Sequence, residues 1–315
     1  HGHAEALKAL LEDLGYGLKG SVWGHPDRQA IFLGDFIDRG PRQVETVDIV
    51  RRMVDAGNAR AVMGNHELNA IAWFTEDPDN EGEYLRPHRS PKYGEKNYSQ
   101  HRAFLDEVNG TPLHEEIIDW FMSLPLWLGL GGIRVVHACW HPAFMDYLEP
   151  RLEKGNRLNK ELLIEATREP ANDAEKDNAS PSVFKAVEAL TKGIEIPLPN
   201  GHSFRDKDGH ERYRVRTRWW DSAATTFQKA AMLPDEVRSA LPSDEIPSHV
   251  RPELNNDKPM FFGHYWLTGT PLLLSDSAAC LDYSIANGGR LVTYRWDGES
   301  QLQARKLHWV GKDVS

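Results

Sequence analysis

Cysteine is nearly absent: among 315 residues only Cys139 and Cys280 occur. Two such residues cannot found a disulfide framework, and the count fits a reducing compartment. Long apolar runs are missing as well. No stretch approaches the ~20 apolar residues needed to cross a bilayer, and no signal peptide is legible. A cytoplasmic location without a membrane partner is the expectation. Nor does positive charge dominate, since 37 Lys and Arg face 47 Asp and Glu for a formal net charge of −10. That balance argues against sequence-specific nucleic acid binding and leaves room only for a local basic site.

What is present suffices for a core. Hydrophobic residues make up 40% and aromatics 10% of the chain, enough for one large domain or a domain with an insertion. Leu7, Leu10, Leu11 and Leu14 predict a helix over 3–14, and Val44, Val47, Val50, Met53 and Val54 another over 42–56. Between and after them, "QAIFLGD" and "ARAVMGN" read as short strands covered on both faces. Further helices are expected near 100–109, 114–124, 159–166 and 182–191. Strands are expected at "GIRVVHACW", "KPMFFGHYW", 280–284 and 290–296, with a hairpin turning near Asp208-Gly209. The alternation predicts an α/β fold, central mixed sheets flanked by helices. One domain over 1–315 is the economical reading. It carries a polar excursion at about 76–103 and a cap-like insertion at about 150–257.

Four of the predicted strands end in side chains that can ligate a metal. "IFLGDFIDRG" delivers Asp35 and Asp38, "AVMGNHE" Asn65 and His66, "RVVHACW" His137, and "MFFGHYW" His264. In open α/β sheets ligands bind at the carboxyl ends of strands, so residues distant in sequence can converge there. Oxygens from Asp and Asn with imidazole nitrogens suit Mn, Fe or Zn; a structural zinc site would draw on thiolates. A carboxylate such as Asp35 can bridge two cations, which can share a hydroxide and clamp a phosphoryl group. Arg39 adds a guanidinium fork that matches phosphate. Asn65 would ligate, and His66, pointing the other way, would protonate a leaving oxygen.

"HGH" at 1–3, "GDFIDRG" at 34–40, "GNHE" at 64–67, "HA" at 137–138 and "GH" at 263–264 resemble the calcineurin-like metallophosphoesterases. The match is to the branch with phosphoprotein phosphatases and symmetrical diadenosine tetraphosphatases, and "ACLDYSIANGGRLVTYRW" is similar to its last strand pair. The resemblance implies two divalent metals, manganese first. His1 and Asp35 would hold one; Asp35, Asn65, His137 and His264 would hold the other. His66 would be the general acid, oriented by Asp38. Arg39 would bind a phosphate oxygen, and Glu67 would support the loop. The family places a glycine-aspartate pair and a strand before the first histidine, so such a segment is expected ahead of His1. "HACWHP" departs from the family and is expected to put Cys139, Trp140 and His141 near the site rim.

Plainer roles compete with these. Asp35 or Asn65 alone could cap a helix, and His137 alone could be a core histidine. His3, His25, His88, His101, His114, His210, His249 and His308 read as surface or loop residues. Arg212, Arg214, Arg216 and Arg218 alternate on one strand face, either a solvated face or a source of a second phosphate clamp through Arg218. Tyr265 is a further candidate for substrate contact. The function expected is hydrolysis of a phosphomonoester or phosphoprotein by a metal-bridging hydroxide. Alternatives are a dinucleoside polyphosphate hydrolase or phosphodiesterase on the same site, or a metal-binding scaffold without catalysis. A phosphorylated small molecule, a nucleotide or a phosphoprotein would be the partner.

Overall fold

The computed structural model describes residues 1–199, 201–205, 210–255 and 257–312. Its central sheet has the order Ala278–Cys280, Met260–Phe262, Arg134–Val136, Trp127–Gly129. The first three run parallel, and Trp127–Gly129 is antiparallel to its neighbour. Successive side chains on a strand point to opposite faces, and here both faces are covered. Val136, Met260, Phe262, Ala278 and Cys280 enter one hydrophobic core, while Val135, Phe261 and Ala279 enter a second. This is why these strands read as unbroken apolar runs.

A parallel pair, Ala30–Phe32 with Ala59–Ala61, supplies the remaining strands that lead to the site. Helices Ala4–Asp13 and Gln43–Asp55 bury Leu7, Leu10 and Leu11, and Val47, Val50 and Met53, as the spacing predicts. A three-stranded antiparallel sheet of Asp282–Tyr283, Arg290–Tyr294 and Leu307–Gly311 closes the second core. Strands Gly17–Lys19, Val22–Gly24, Trp127–Gly129 and Leu307–Gly311 were not legible in the sequence. Each is short, and Gly17–Lys19 is exposed throughout, so no burial pattern marks it.

The excursion after residue 75 is more ordered than its prolines suggest. Helix Gly94–Val108 begins inside it, and His88 is stacked between Trp73 and Tyr84 at 3.6 and 4.0 Å. The later segment, 150–257, shares the main core: Leu162, Val187, Leu190 and Trp220 belong with Phe262. The Ala138 N–H donates to the Leu190 carbonyl at 2.9 Å. Within this segment Glu195–Pro197 pairs with Arg214–Arg216, and Phe204–Arg205 pairs with Glu211–Arg212. The expected turn at Asp208-Gly209 lies outside the described residues. Among the described residues no helix is long and apolar enough to cross a membrane.

Candidate active site

The loops leaving Ala30–Phe32 and Ala59–Ala61 touch backbone to backbone. A Cβ on Gly34, whose φ is +89°, would meet the Gly64 nitrogen at 2.5 Å, and one on Gly64 would meet the Asp35 carboxylate. Only glycines allow this approach, and it sets Asp35 beside Asn65. Glu67 locks the crossing. Its carboxylate accepts the N–H groups of Asp35 and Phe36 at 2.7 Å and of Gly64 at 2.9 Å. Burial, then the nearby Asp35 charge, lift Glu67 to about 7. Asp35, Asp38, Arg39, His264 and Trp266 all adopt positive φ. Left-handed backbone is costly for such residues, so the surrounding packing must hold these loops in strain.

Asp35 is the hub. Its carboxylate lies 3.4 Å from His1 Nε2 on one side and 3.4 Å from His137 Nε2 on the other. Asn65 Oδ1 is 3.2 Å from His137 Nε2 and accepts from His264 Nδ1 at 2.9 Å. His137 Nδ1 donates to the Leu33 carbonyl, which aims Nε2 into the cluster. His264 Nε2 is buried with no hydrogen-bond partner among the described residues. Among the described residues two groups could hold a metal ion, His1–Asp35–His66 and Asp35–His137–His264, the ligand atoms of each group within 4.8 Å of one another. Oxygen with imidazole donors, an orphaned ring nitrogen and a shared carboxylate fit a pair of divalent cations.

The electrostatics agree with that fit. Burial raises Asp35, but the charges of His137 and His66 outweigh it and hold the carboxyl well below its usual range. Burial lowers His137, yet Asp35 beside it lifts the ring to about 9. A proton there takes the place that a cation between acceptors would fill. Burial, then the Arg216 charge, keep His264 well below its usual value, so the ring is neutral and its lone pair available.

His66 stands beside this cluster with Nδ1 2.5 Å from Asp38 Oδ2. A second imidazole, His101 Nδ1, lies 2.8 Å from the same oxygen. His101 and His114 were expected at the surface; both are buried. The signal was present, because His101 leads Phe104, Leu105 and Val108, and His114 leads Ile117, Ile118 and Phe121, at helical spacing. Arg39 is exposed and lies over the Trp266 ring at 3.9 Å. Trp266 is a residue the sequence reading missed.

The two further substrate-contact candidates lie away from the cluster's donors. Tyr265 is 5% exposed, packs against Trp220 and Phe262, and its hydroxyl accepts the Trp219 indole N–H at 2.9 Å. It is a core residue. Arg218 faces Asp221 at 3.6 Å in a surface hollow with Lys229 and Arg238. Arg216, two residues earlier, is the one whose charge reaches His264. The "HACWHP" bulk also turns inward: Cys139 is fully buried, and His141 caps helix Pro142–Leu148.

From His1, Asp35, His137 and His264 a cavity of about 1180 Å³ extends along Ala30–Phe32 into apolar ground that includes Leu10 and Phe261. That strand's other edge pairs with no described strand.

An acidic–imidazole cluster at parallel strand ends, with a His–Asp pair beside it, is the kind of centre that binds divalent metal. The chain belongs to the calcineurin-like phosphoesterase family, whose model matches residues 1–175. It is 29% identical over 156 residues to the asymmetrical bis(5'-nucleosyl)-tetraphosphatase PrpE of Oceanobacillus iheyensis, a match over 49% of this chain and 57% of that relative. It is 25% identical over 293 residues to the symmetrical bis(5'-nucleosyl)-tetraphosphatase of Bordetella pertussis, covering 90% and 87%. The chain thus spans little more than half of the first relative's length. A solved cold-active protein-tyrosine phosphatase of a Shewanella species aligns over 93% of this chain and 72% of its own, with 17% identity and TM-score 0.46.

Proposed function

We propose that the protein is a metal-dependent phosphohydrolase whose two cations share Asp35. His1 and Asp35 would hold one cation, and Asp35, Asn65, His137 and His264 the other, manganese being the first candidate over iron and zinc. When bound, the cations would supply Lewis-acid activation of water and of the phosphoryl oxygens. The observation that carries this reading is the meeting of three strand-exit donors, Asn65, His137 and His264, around the buried Asp35 carboxylate.

The chain's own residues do the rest. Asp38 accepts from His66 Nδ1 and so aims Nε2 outward, where the ring would pass a proton to the departing oxygen. Trp266 supports the Arg39 guanidinium from below, and its fork would grip a phosphoryl oxygen. Glu67 holds both loops in register.

A nucleotide substrate, a dinucleoside polyphosphate first, is the reading that the relatives' names and the cationic rim favour over a phosphoprotein. Arg39 lies over Trp266 with no carboxylate within ion-pair distance among the described residues, and the charge of Arg216 reaches His264. The test is a panel with added manganese: an aryl phosphate, phosphopeptides, nucleotides, nucleotide diesters and dinucleoside tetraphosphates. Turnover that is abolished by chelator and highest on the tetraphosphates is expected. Metal-independent turnover, or none on any phosphate, would overturn the proposal.

A further inference from the structure

The parallel strands Met260–Phe262 and Ala278–Cys280 leave the sheet side by side, with Phe262 opposite Cys280. The first exit carries His264 and Trp266, and the second carries Asp282. Asp282 lines the cavity that opens from the cluster, together with Gly263 and His264. Both of its carboxylate oxygens are taken up by backbone. Oδ2 accepts the Trp266 N–H at 3.0 Å, and Oδ1 accepts the Ser284 N–H at 3.1 Å. The Asp282 carbonyl accepts the Leu267 N–H at 2.9 Å, and Ser284 Oγ donates to the Leu267 carbonyl at 3.1 Å. The loop after His264 is thereby tied to the neighbouring strand exit.

That loop needs its ties. His264 has a φ of +70° and Trp266 one of +51°, both in the left-handed region. Residues with a Cβ stay there only where the surroundings over-determine the backbone. A carboxylate accepts a backbone N–H more strongly than a neutral acceptor does. The bond to the Trp266 N–H therefore fixes the direction in which the indole leaves the chain. That direction reaches the site. The Trp266 ring lies 3.9 Å from the Arg39 guanidinium carbon, and its centroid is 6.3 Å from that of the His1 ring. Arg39 is exposed and in no ion pair among the described residues, so the indole supplies the contact that orients its fork.

We propose that Asp282 is a positioning residue for the phosphate clamp: through the Trp266 N–H it holds the loop whose indole sets the plane of the Arg39 guanidinium. This rests on the reading of the centre as a phosphohydrolase, and it gives the C-terminal sheet a part in substrate binding.

The probe is inorganic phosphate, titrated calorimetrically in the presence of manganese into wild type, Asp282→Ala, Asp282→Asn, Arg39→Ala and the two double variants. Arg39→Ala should weaken binding about tenfold, the loss of one charge-assisted contact. Asp282→Ala should show most of that loss. Asp282→Asn should show less, because its amide oxygen still accepts one of the two N–H groups. In the Arg39→Ala background either Asp282 change should cost less than about twofold, since it acts through the guanidinium. A residue that only supports the fold would add its loss in both backgrounds. Where Asp282→Ala does not fold, Asp282→Asn carries the same cycle. Additive losses, a Trp266 ring still seated on Arg39 in crystals of Asp282→Ala, or no phosphate binding by wild type would overturn the assignment. Turnover of an aryl phosphate by the wild-type protein tests the hydrolase reading separately, so the two failures are distinguishable.

Discussion

His66 stands in two relationships at once. Its Nδ1 is bound to Asp38, and its ring also falls in the group with His1 and Asp35 that could hold a metal. The acid assignment predicts that His66→Asn keeps its metal and loses turnover by ~10²–10⁴-fold on substrates with poor leaving groups. The loss should be smaller on a nitrophenyl ester, which leaves without protonation. Metal analysis of the variant decides, since depletion of one cation would make His66 a ligand. Arg39 has a simpler position: it is exposed, in contact with Trp266 and in no ion pair among the described residues. Arg39→Ala should therefore lower kcat/KM by roughly tenfold or more, as the loss of a charge-assisted contact implies. Its melting temperature should stay within a degree or two of wild type, the usual result for a surface change. A large fall in melting temperature would instead assign Arg39 to the fold.

Helix Gly94–Val108 delivers a side chain that touches the His66 partner, Asp38. His101 is buried and shares the Asp38 oxygen with His66, so Asp38 has imidazoles on two sides. Burial raises Asp38, and the His101 and His66 contacts outweigh it. His101→Leu would leave a buried carboxylate with one partner, at a cost of about 3 kcal/mol in urea unfolding. A variant as stable as wild type would show that the contact is dispensable. The C-terminal sheet offers a pH test remote from any metal ligand. Burial raises Glu299, but the Lys306 and Tyr294 contacts prevail and bring it from 4.5 to about 2. A depressed carboxylate stabilises the fold above its unfolded value and loses that contribution as pH falls. Glu299→Gln should thus flatten the stability profile between about pH 4.5 and 2. If the acid limb is unchanged, other carboxylates control it.

For the molecule as a whole, the expected cations bind only the folded chain, because their ligands come from strands far apart in sequence. Manganese at ~100 times its Kd should stabilise the fold by about 2.7 kcal/mol, and a chelator should remove the gain. Asp35→Asn, which weakens the shared ligand, should lose most of the shift in a thermal melt. An equal shift in wild type and variant would place the metal elsewhere. The same logic ties the segment 150–257 to stability, since Leu190 and Trp220 pack in the core that holds Phe262.

Much of this is legible in the amino-acid sequence. Glycine followed by a polar residue at the end of an apolar run marks a strand exit wherever it occurs, because the run needs cover on both faces and the polar group does not. So the parallel strands, the first two helices and the candidate donors Asp35, Asn65, His137 and His264 could all be read from local pattern. Local pattern ends where a side chain's surroundings come from elsewhere in the chain. Tyr265 and Trp266 are neighbours, yet one packs under Trp219 and the other supports Arg39. Arg216 and Arg218 share a strand face in sequence, yet they reach different places because the strand ends at Arg216. His101 reads as a polar helix residue until the fold sets Asp38 against it. Burial and charge partners are sums over the whole packed chain, so the tertiary structure alone decided which of these polar residues reach the site.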